Sequence, residues 1–157
     1  MSESEQGTDS ARDAFVRWVR EQHDQMASYA ARRELIGDAA EGVPVWSIPH
    51  QVFLGRFYDK ATPTGGYWYV AGGVPSDHIE AHLAGDARQA LRHFSMKWQL
   101  QAAQIEEGSS TEQGDHPPDF ANVAHNLSRS AEVLMACADN DDYWKKNDQG
   151  PSESAPT

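Results

Sequence analysis

A chain of 157 residues with a formal net charge of −11 is long enough for one domain whose folding hides roughly 68–70% of the unfolded surface, so a core needs no staples. The charge repels phosphate backbones and anionic headgroups, which argues against nucleic-acid and membrane partners. It would attract a basic protein partner, and it also serves solubility alone. Cys137 is the single cysteine, which excludes an internal disulfide and a cysteine-rich metal cage and fits a reducing compartment.

Residues 1–8 are rich in Ser, Glu and Gly without apolar periodicity, and read as a disordered tail. They carry neither the basic start nor the apolar stretch of a secretory signal, and no apolar run in the chain approaches membrane-spanning length, so a cytoplasmic location is expected. Residues 9–147 are expected to form a single domain. Its first element is a helix from about Asp9 or Ser10 to Ile36, with Phe15, Trp18, Val19, Gln22, Met26, Tyr29 and Ala30 at intervals of three and four. Asp9 or Ser10 would cap it and Gly37 would end it.

From Val43 the period changes to two. Pro44 and Pro49 bracket Val45-Trp46-Ser47-Ile48, as suits an edge strand, and Val52-Phe53-Leu54-Gly55-Arg56-Phe57-Tyr58 follows. A loop with Pro63 and Gly65 then delivers the chain into Tyr67-Trp68-Tyr69-Val70-Ala71. Two or three antiparallel strands result, too few to stand without helices on one face.

Asp77 and Glu80 have the spacing of a capping box, which predicts a short helical turn at residues 76–82. Gly85 then breaks it, and a main helix begins near Asp86. Ala87, Leu91, Phe94, Trp98, Ala102 and Ile105 mark the buried face of that helix. Residues 106–116 read as a mobile acidic loop, and Pro117-Pro118 introduce a third helix with Phe120, Val123, Ala124, Leu127, Ala131, Leu134 and Ala138 on one face. Asp139-Asn140-Asp141-Asp142 ends it, although acids there oppose the helix dipole. Tyr143-Trp144 fold back as an anchor, and residues 148–157 read as a second tail. The fold class is α+β, with three main helices packed on a two- to three-stranded antiparallel sheet.

Three constellations could carry chemistry. His78 and His82 lie four apart, as in zinc-binding helices, with Asp86 as a third ligand only if Gly85 leaves the helix intact; Ile79 stands where a metalloprotease helix has its glutamate, so surface or capping roles are the plainer reading. His93 lies beside Arg92 and near Arg88, a histidine among guanidiniums suited to acid–base work on an anion, although pairing of both arginines with nearby carboxylates such as Asp86 explains them as well. Tyr67 and Tyr69 point to one face of their strand and Trp68 to the other, so a sheet covered on one side alone would expose a tyrosine pair or a tryptophan as a binding surface.

No cofactor is expected, because Gly65-Gly66 and Gly72-Gly73 resemble neither a P-loop nor a dinucleotide fingerprint and read as turns. Ser95 falls mid-helix with its hydroxyl engaged by backbone, and Cys137 reads as a buried space-filler.

The segments Phe15-Val16-Arg17-Trp18-Val19-Arg20-Glu21-Gln22, Tyr67-Trp68, Val74-Pro75-Ser76-Asp77-His78, and Ala87-Arg88-Gln89-Ala90-Leu91-Arg92-His93-Phe94 with Ser95-Met96-Lys97-Trp98-Gln99-Leu100 resemble an uncharacterised family, the domain of unknown function 4826. The resemblance spans the chain from about Asp13 to Trp144. It implies a bacterial cytoplasmic protein and adds no catalytic residue.

The reading favoured is a module that binds a protein or a small ligand, one version being an inhibitor or immunity-type protein that blocks a basic toxin. Its candidate contacts are Tyr67, Trp68, Tyr69, His78, Arg88, Arg92 and His93. The alternative is a metal-dependent or acid–base enzyme centred on His78, His82, Asp86 and His93. A monomer and a homodimer joined through the aromatic sheet face are both compatible with this sequence.

Overall fold

Alternating side chains between Val52 and Gly72 build the centre of an antiparallel sheet in the computed structural model, which describes residues 2–37, 40–111 and 120–145. The strands are β1 (Ala40–Ile48), β2 (Val52–Asp59), β3 (Tyr67–Gly72) and β4 (Asp77–Glu80), in the order β1-β2-β3-β4. The longer helices are α1 (Ser2–Arg32), α2 (Ala87–Thr111) and α3 (Phe120–Asp139), with a 3-10 turn at Ala81–Leu83, and residues 141–145 are helical again after the break at Asn140. The chain divides into two compact units, Met1–Leu83 and Ala84–Thr157.

In the first unit, α1 covers one face of the sheet. Pairing of Phe53 with Ala71, Gly55 with Tyr69 and Phe57 with Tyr67 sets these residues on that face, where they pack with Met26, Tyr29 and Ala30 of α1. The helix can come close because two strand positions lack a Cβ. One added at Gly42 would stand 2.7 Å from Met26 Cε, and one at Gly55 would stand 2.9 Å from Met26 Sδ. The opposite face carries Leu54, Trp68, Val70 and Ile79, all buried.

β1 is an edge strand, and its register shifts between Pro44 and Trp46. Proline cannot donate to a ladder, so it is tolerated at such a bulge on an edge. The hairpin into β2 is closed by Gln51 N–H donating to the Ile48 carbonyl at 3.0 Å. Pro49 leads that turn, and His50 has a φ of 64°, the left-handed geometry of the third position in a type II turn.

Two boundaries differ from those read in the sequence. α1 begins at Ser2, so neither Asp9 nor Ser10 caps it, and Gly7 does not interrupt it, since an interior glycine costs only about 1 kcal/mol. It also ends at Arg32, before Gly37. There the Glu34 amide donates to Ala31 O (3.1 Å) and the Leu35 amide to Ala30 O (3.1 Å), with Glu34 at φ 52°. This is a Schellman stop with glutamate in the position glycine usually fills, and Leu35 packs back onto the core cluster that contains Ala30.

The segment expected as a helical turn is instead strand β4, so the sheet has four strands rather than two or three. Asp77 Oδ1 accepts from the adjacent His78 amide (2.8 Å) rather than from an amide a turn onward, and no cap forms. The outer edge of β3 has backbone groups to satisfy, and residues 77–80 satisfy them: Tyr69 pairs with His78 and Trp68 with Ile79. Ala81 N–H extends the join by donating to Gly66 O (2.9 Å).

The second unit is a pair of helices. α2 starts where expected, because Asp86 Oδ1 accepts from Gln89 N–H (2.8 Å) while Gln89 Oε1 accepts from Gly85 N–H (2.9 Å), a reciprocal cap. Its buried residues are Ala90, Leu91, Phe94, Ser95, Trp98 and Ala102; those of α3 include Ala124, Ala131 and Ala138 at every seventh position, with Leu134 between. The small residues allow close approach, and Ser95 Oγ donates across to Ala131 O at 2.7 Å, so backbone does engage this hydroxyl, but backbone of the other helix. α2 runs on to Thr111, through the first part of the stretch expected as a loop; residues 112–119, with Pro117 and Pro118, and the expected C-terminal tail lie outside the described residues.

The acidic end of α3 is resolved from α2. Arg88 Nε donates to Ala138 O (2.7 Å) and its Nη2 to Asp141 Oδ1 (2.6 Å), while Arg92 Nη2 lies 3.5 Å from Asp139 Oδ1. Trp144 folds back as expected and donates from Nε1 to Cys137 O at 3.0 Å.

Two stability measurements follow from these ends. Glu34→Gly should stabilise the protein by about 0.5–1 kcal/mol in urea unfolding, because the left-handed cost to a side chain disappears. Arg88→Met should destabilise it by about 1–2 kcal/mol in the same assay, since it leaves Asp139 and Asp141 at the negative end of α3 with one cation fewer.

Candidate functional site

The alternation of β3 turns Tyr67 and Tyr69 towards α1, and the β4 pairing sets His78 beside Tyr69 on the same face. Helical spacing places Tyr29 above them, one turn before the helix ends. Tyr29 meets Tyr69 edge-on with centroids 5.1 Å apart and His78 edge-on at 5.5 Å; Tyr67 stacks on Phe57 at 5.2 Å and meets His78 at 5.5 Å. Such contacts hold rings in fixed orientations. The Tyr29 hydroxyl lies 2.7 Å from His78 Nδ1, joining α1 to the outermost strand.

Beside this cluster a cleft of about 330 Å³ opens, lined by Gln25, Tyr29, Arg32, Arg33, Tyr69 and Ser76. Its floor is phenolic, since Tyr29 and Tyr69 are only 4% and 1% exposed. Its walls are cationic. The Arg33 guanidinium sits 3.9 Å from the Tyr29 ring centroid, and Arg32 Nε donates to Ser28 O at 3.4 Å. Neither arginine forms an ion pair with a carboxylate among the described residues.

Both phenols are held neutral. Burial, then the Asp77 carboxylate, pushes Tyr29 up to about 12, with Arg33 opposing; burial likewise raises Tyr69, against a side-chain hydrogen bond from Ser76 and the charges of Arg32 and Arg33. A phenol so raised is a hydrogen-bond donor at neutral pH and a poor general base. Where the Tyr29 O–H donates to Nδ1, a neutral His78 carries its proton on Nε2.

Of the residues expected to form a site, Tyr67, Tyr69 and His78 come together in this cluster. Trp68 points to the opposite sheet face, 6% exposed, with the Arg56 guanidinium 5.6 Å from its ring. The aromatic strand therefore exposes neither its tryptophan nor Tyr69. Arg88, Arg92 and His93 belong to the second unit, where both arginines serve the end of α3 rather than Asp86 and His93 is half-buried.

The helical register that would stack His78 with His82 does not form, because one lies on β4 and the other in the 3-10 turn; His82 Nε2 lies 3.6 Å from Glu80 Oε1, and Asp86 caps α2. Among the described residues no three His, Cys, Asp or Glu side chains gather to hold a metal ion. No helix among them is long and apolar enough to cross a membrane.

Gln25, Tyr29, Arg32, Arg33 and Ser76 were not identified as site residues from sequence. Tyr29 carries the helical signal of a core residue, and adjacent arginines at a helix end read as dipole compensation. The one local signal is their spacing, which places both guanidiniums within a turn of a tyrosine.

The Tyr29 phenol gives a pH signature. Its pKa when unfolded is near 10.0 and when folded about 12, so the stability it contributes is whole below pH 10 and is lost as the pH climbs towards 12, where the unfolded chain has already released the proton. Urea unfolding at stepped alkaline pH should show a shallower decline for Tyr29→Phe than for the wild type. Phenolate absorbance should lose its latest-ionising phase in that variant.

A family model described as a domain of unknown function, DUF4826, matches residues 12–144. Comparisons with curated proteins and with solved structures return no match. The match takes in the helix that bears Tyr29 and the arginines, the whole sheet and both later helices, and the chain belongs to the DUF4826 family.

Proposed function

We propose that this chain is a small-ligand-binding module and that the ligand sits in the cleft between the last turns of α1 and strand β3. The observation that carries the reading is a concave polar site of about 330 Å³ whose floor is two buried phenols and whose walls include two arginines. Its volume falls at the lower end of the range for small-molecule sites, roughly 300–1,000 Å³. The groups are preorganised: Tyr29 is fixed by His78 and by the ring cluster, and Tyr69 by edge contacts with Tyr29, Phe53 and Phe57.

Two other concavities in the first unit are weaker candidates. One, of about 110 Å³ beside Met26, Ile36 and Phe57, is small, and one of about 310 Å³ along Phe15, Val19 and Pro44 is a mostly apolar open groove. Neither gathers several polar side chains that would fix the orientation of a ligand.

Binding is preferred over acid–base catalysis because Tyr29 and His78 satisfy each other and the raised phenol is a donor rather than a base. The test is a thermal-shift screen of the full chain against metabolites in anionic, neutral and cationic sets. A ligand at a hundredfold excess over its Kd stabilises by about 2.7 kcal/mol, a shift of several degrees. The shift should shrink in Tyr69→Phe and Ser76→Ala. No saturable shift in any set, or a shift indifferent to both substitutions, would remove the reading.

A further inference from the structure

We propose that the group recognised in the cleft is an oxyanion, the phosphate or carboxylate of a small molecule, gripped by the guanidiniums of Arg32 and Arg33 over the hydroxyl of Tyr69; this rests on the cleft being a ligand site. Every side chain of the lining can donate a hydrogen bond, and none carries a negative charge. Arg32 and Arg33 can only donate, Gln25 contributes an amide, and Tyr69 and Ser76 contribute hydroxyls. Burial keeps Tyr69 protonated, so it too faces the ligand as a donor. A ligand that answers such a set is an acceptor at several points, and guanidiniums match the oxygens of carboxylate and phosphate better than any neutral group.

The charge balance agrees. One acid acting on this corner is Asp77, which raises Tyr29. Its Oδ1 accepts from the His78 amide, and its pairing with Val70 sets it on the other face of the sheet. Among the described residues, two arginines and no carboxylate line the cleft, in a chain whose total is −11. A helix C-terminus ordinarily disfavours anions. Here the carbonyls of Tyr29, Ala30 and Ala31 accept from the amides of Arg33, Leu35 and Glu34, so these three are already engaged. The acidic exterior repels anions at long range, which makes the paired arginines a local exception and a source of selectivity.

Inorganic phosphate, sulfate and acetate are the probes, titrated into the full chain at fixed ionic strength with chloride as the balancing salt and followed by two-dimensional amide NMR. At least one should give a saturable response centred on Gln25, Arg33, Tyr69 and Ser76, and the order among the three separates a phosphate-like from a carboxylate-like preference. Arg32→Gln and Arg33→Gln should each weaken it about tenfold, while Arg12→Gln, on an exposed part of α1, should leave it unchanged. Should either cleft variant fail to fold, the map of wild-type responses decides: a cluster elsewhere, or none, overturns the proposal. An equal loss in Arg12→Gln also overturns it, as general screening. If a neutral or cationic metabolite binds with dependence on Tyr69 and Ser76 while all three oxyanions do not, the ligand class is wrong and the module reading stands. If nothing binds, both fall.

Discussion

The Tyr29 hydroxyl, 2.7 Å from a ring nitrogen of His78, ties the closing turn of one long helix to the outermost strand of the sheet. The geometry of the first unit converges on this contact. α1 must lie close to the sheet for the phenol to reach, and it does so because Gly42 and Gly55 leave room for Met26. β4 must be a strand, not a helical turn, for His78 to face the phenol. The helix must also stop after Arg32, because further turns would carry the chain past the cleft that its last residues now line.

The second unit solves a different problem with the same chemistry. α3 ends at Asp139, at a helix end where negative charge is unwelcome, and Asp141 follows just beyond it. Two arginines of α2, one turn apart, meet that end, one bonding a terminal carbonyl as well as a carboxylate. Arg88 and Arg92 thus repair a local conflict, whereas Arg32 and Arg33 have no carboxylate partner among the described residues. The same residue type in two neighbourhoods acquires opposite meanings, and what tells them apart is the presence of a counter-charge.

This contrast explains what was legible from residues alone. α2 was readable because Leu91, Phe94, Trp98 and Ala102 repeat at helical spacing over a long stretch, and Asp86 is a strong cap. β2 and β3 were readable from alternation. β4 was not, since four residues with one buried apolar side chain fit either period, and the decision belongs to the unsatisfied edge of β3. The cleft was hidden for a further reason: Tyr29 and His78 stand 49 residues apart, and their meeting depends on the rotation of α1 and the register of β4 together. No short motif encodes that coincidence.

An open sheet has two rims, and each can recruit a stranger's strand. The outer rim of β1 holds Pro44, which offers no amide hydrogen, next to a bulge that breaks the run of evenly spaced backbone groups. The rim of β4 is only four residues long before the chain turns away. Proline and brevity together deny a visiting chain the long, regular ladder on which intermolecular stacking would grow.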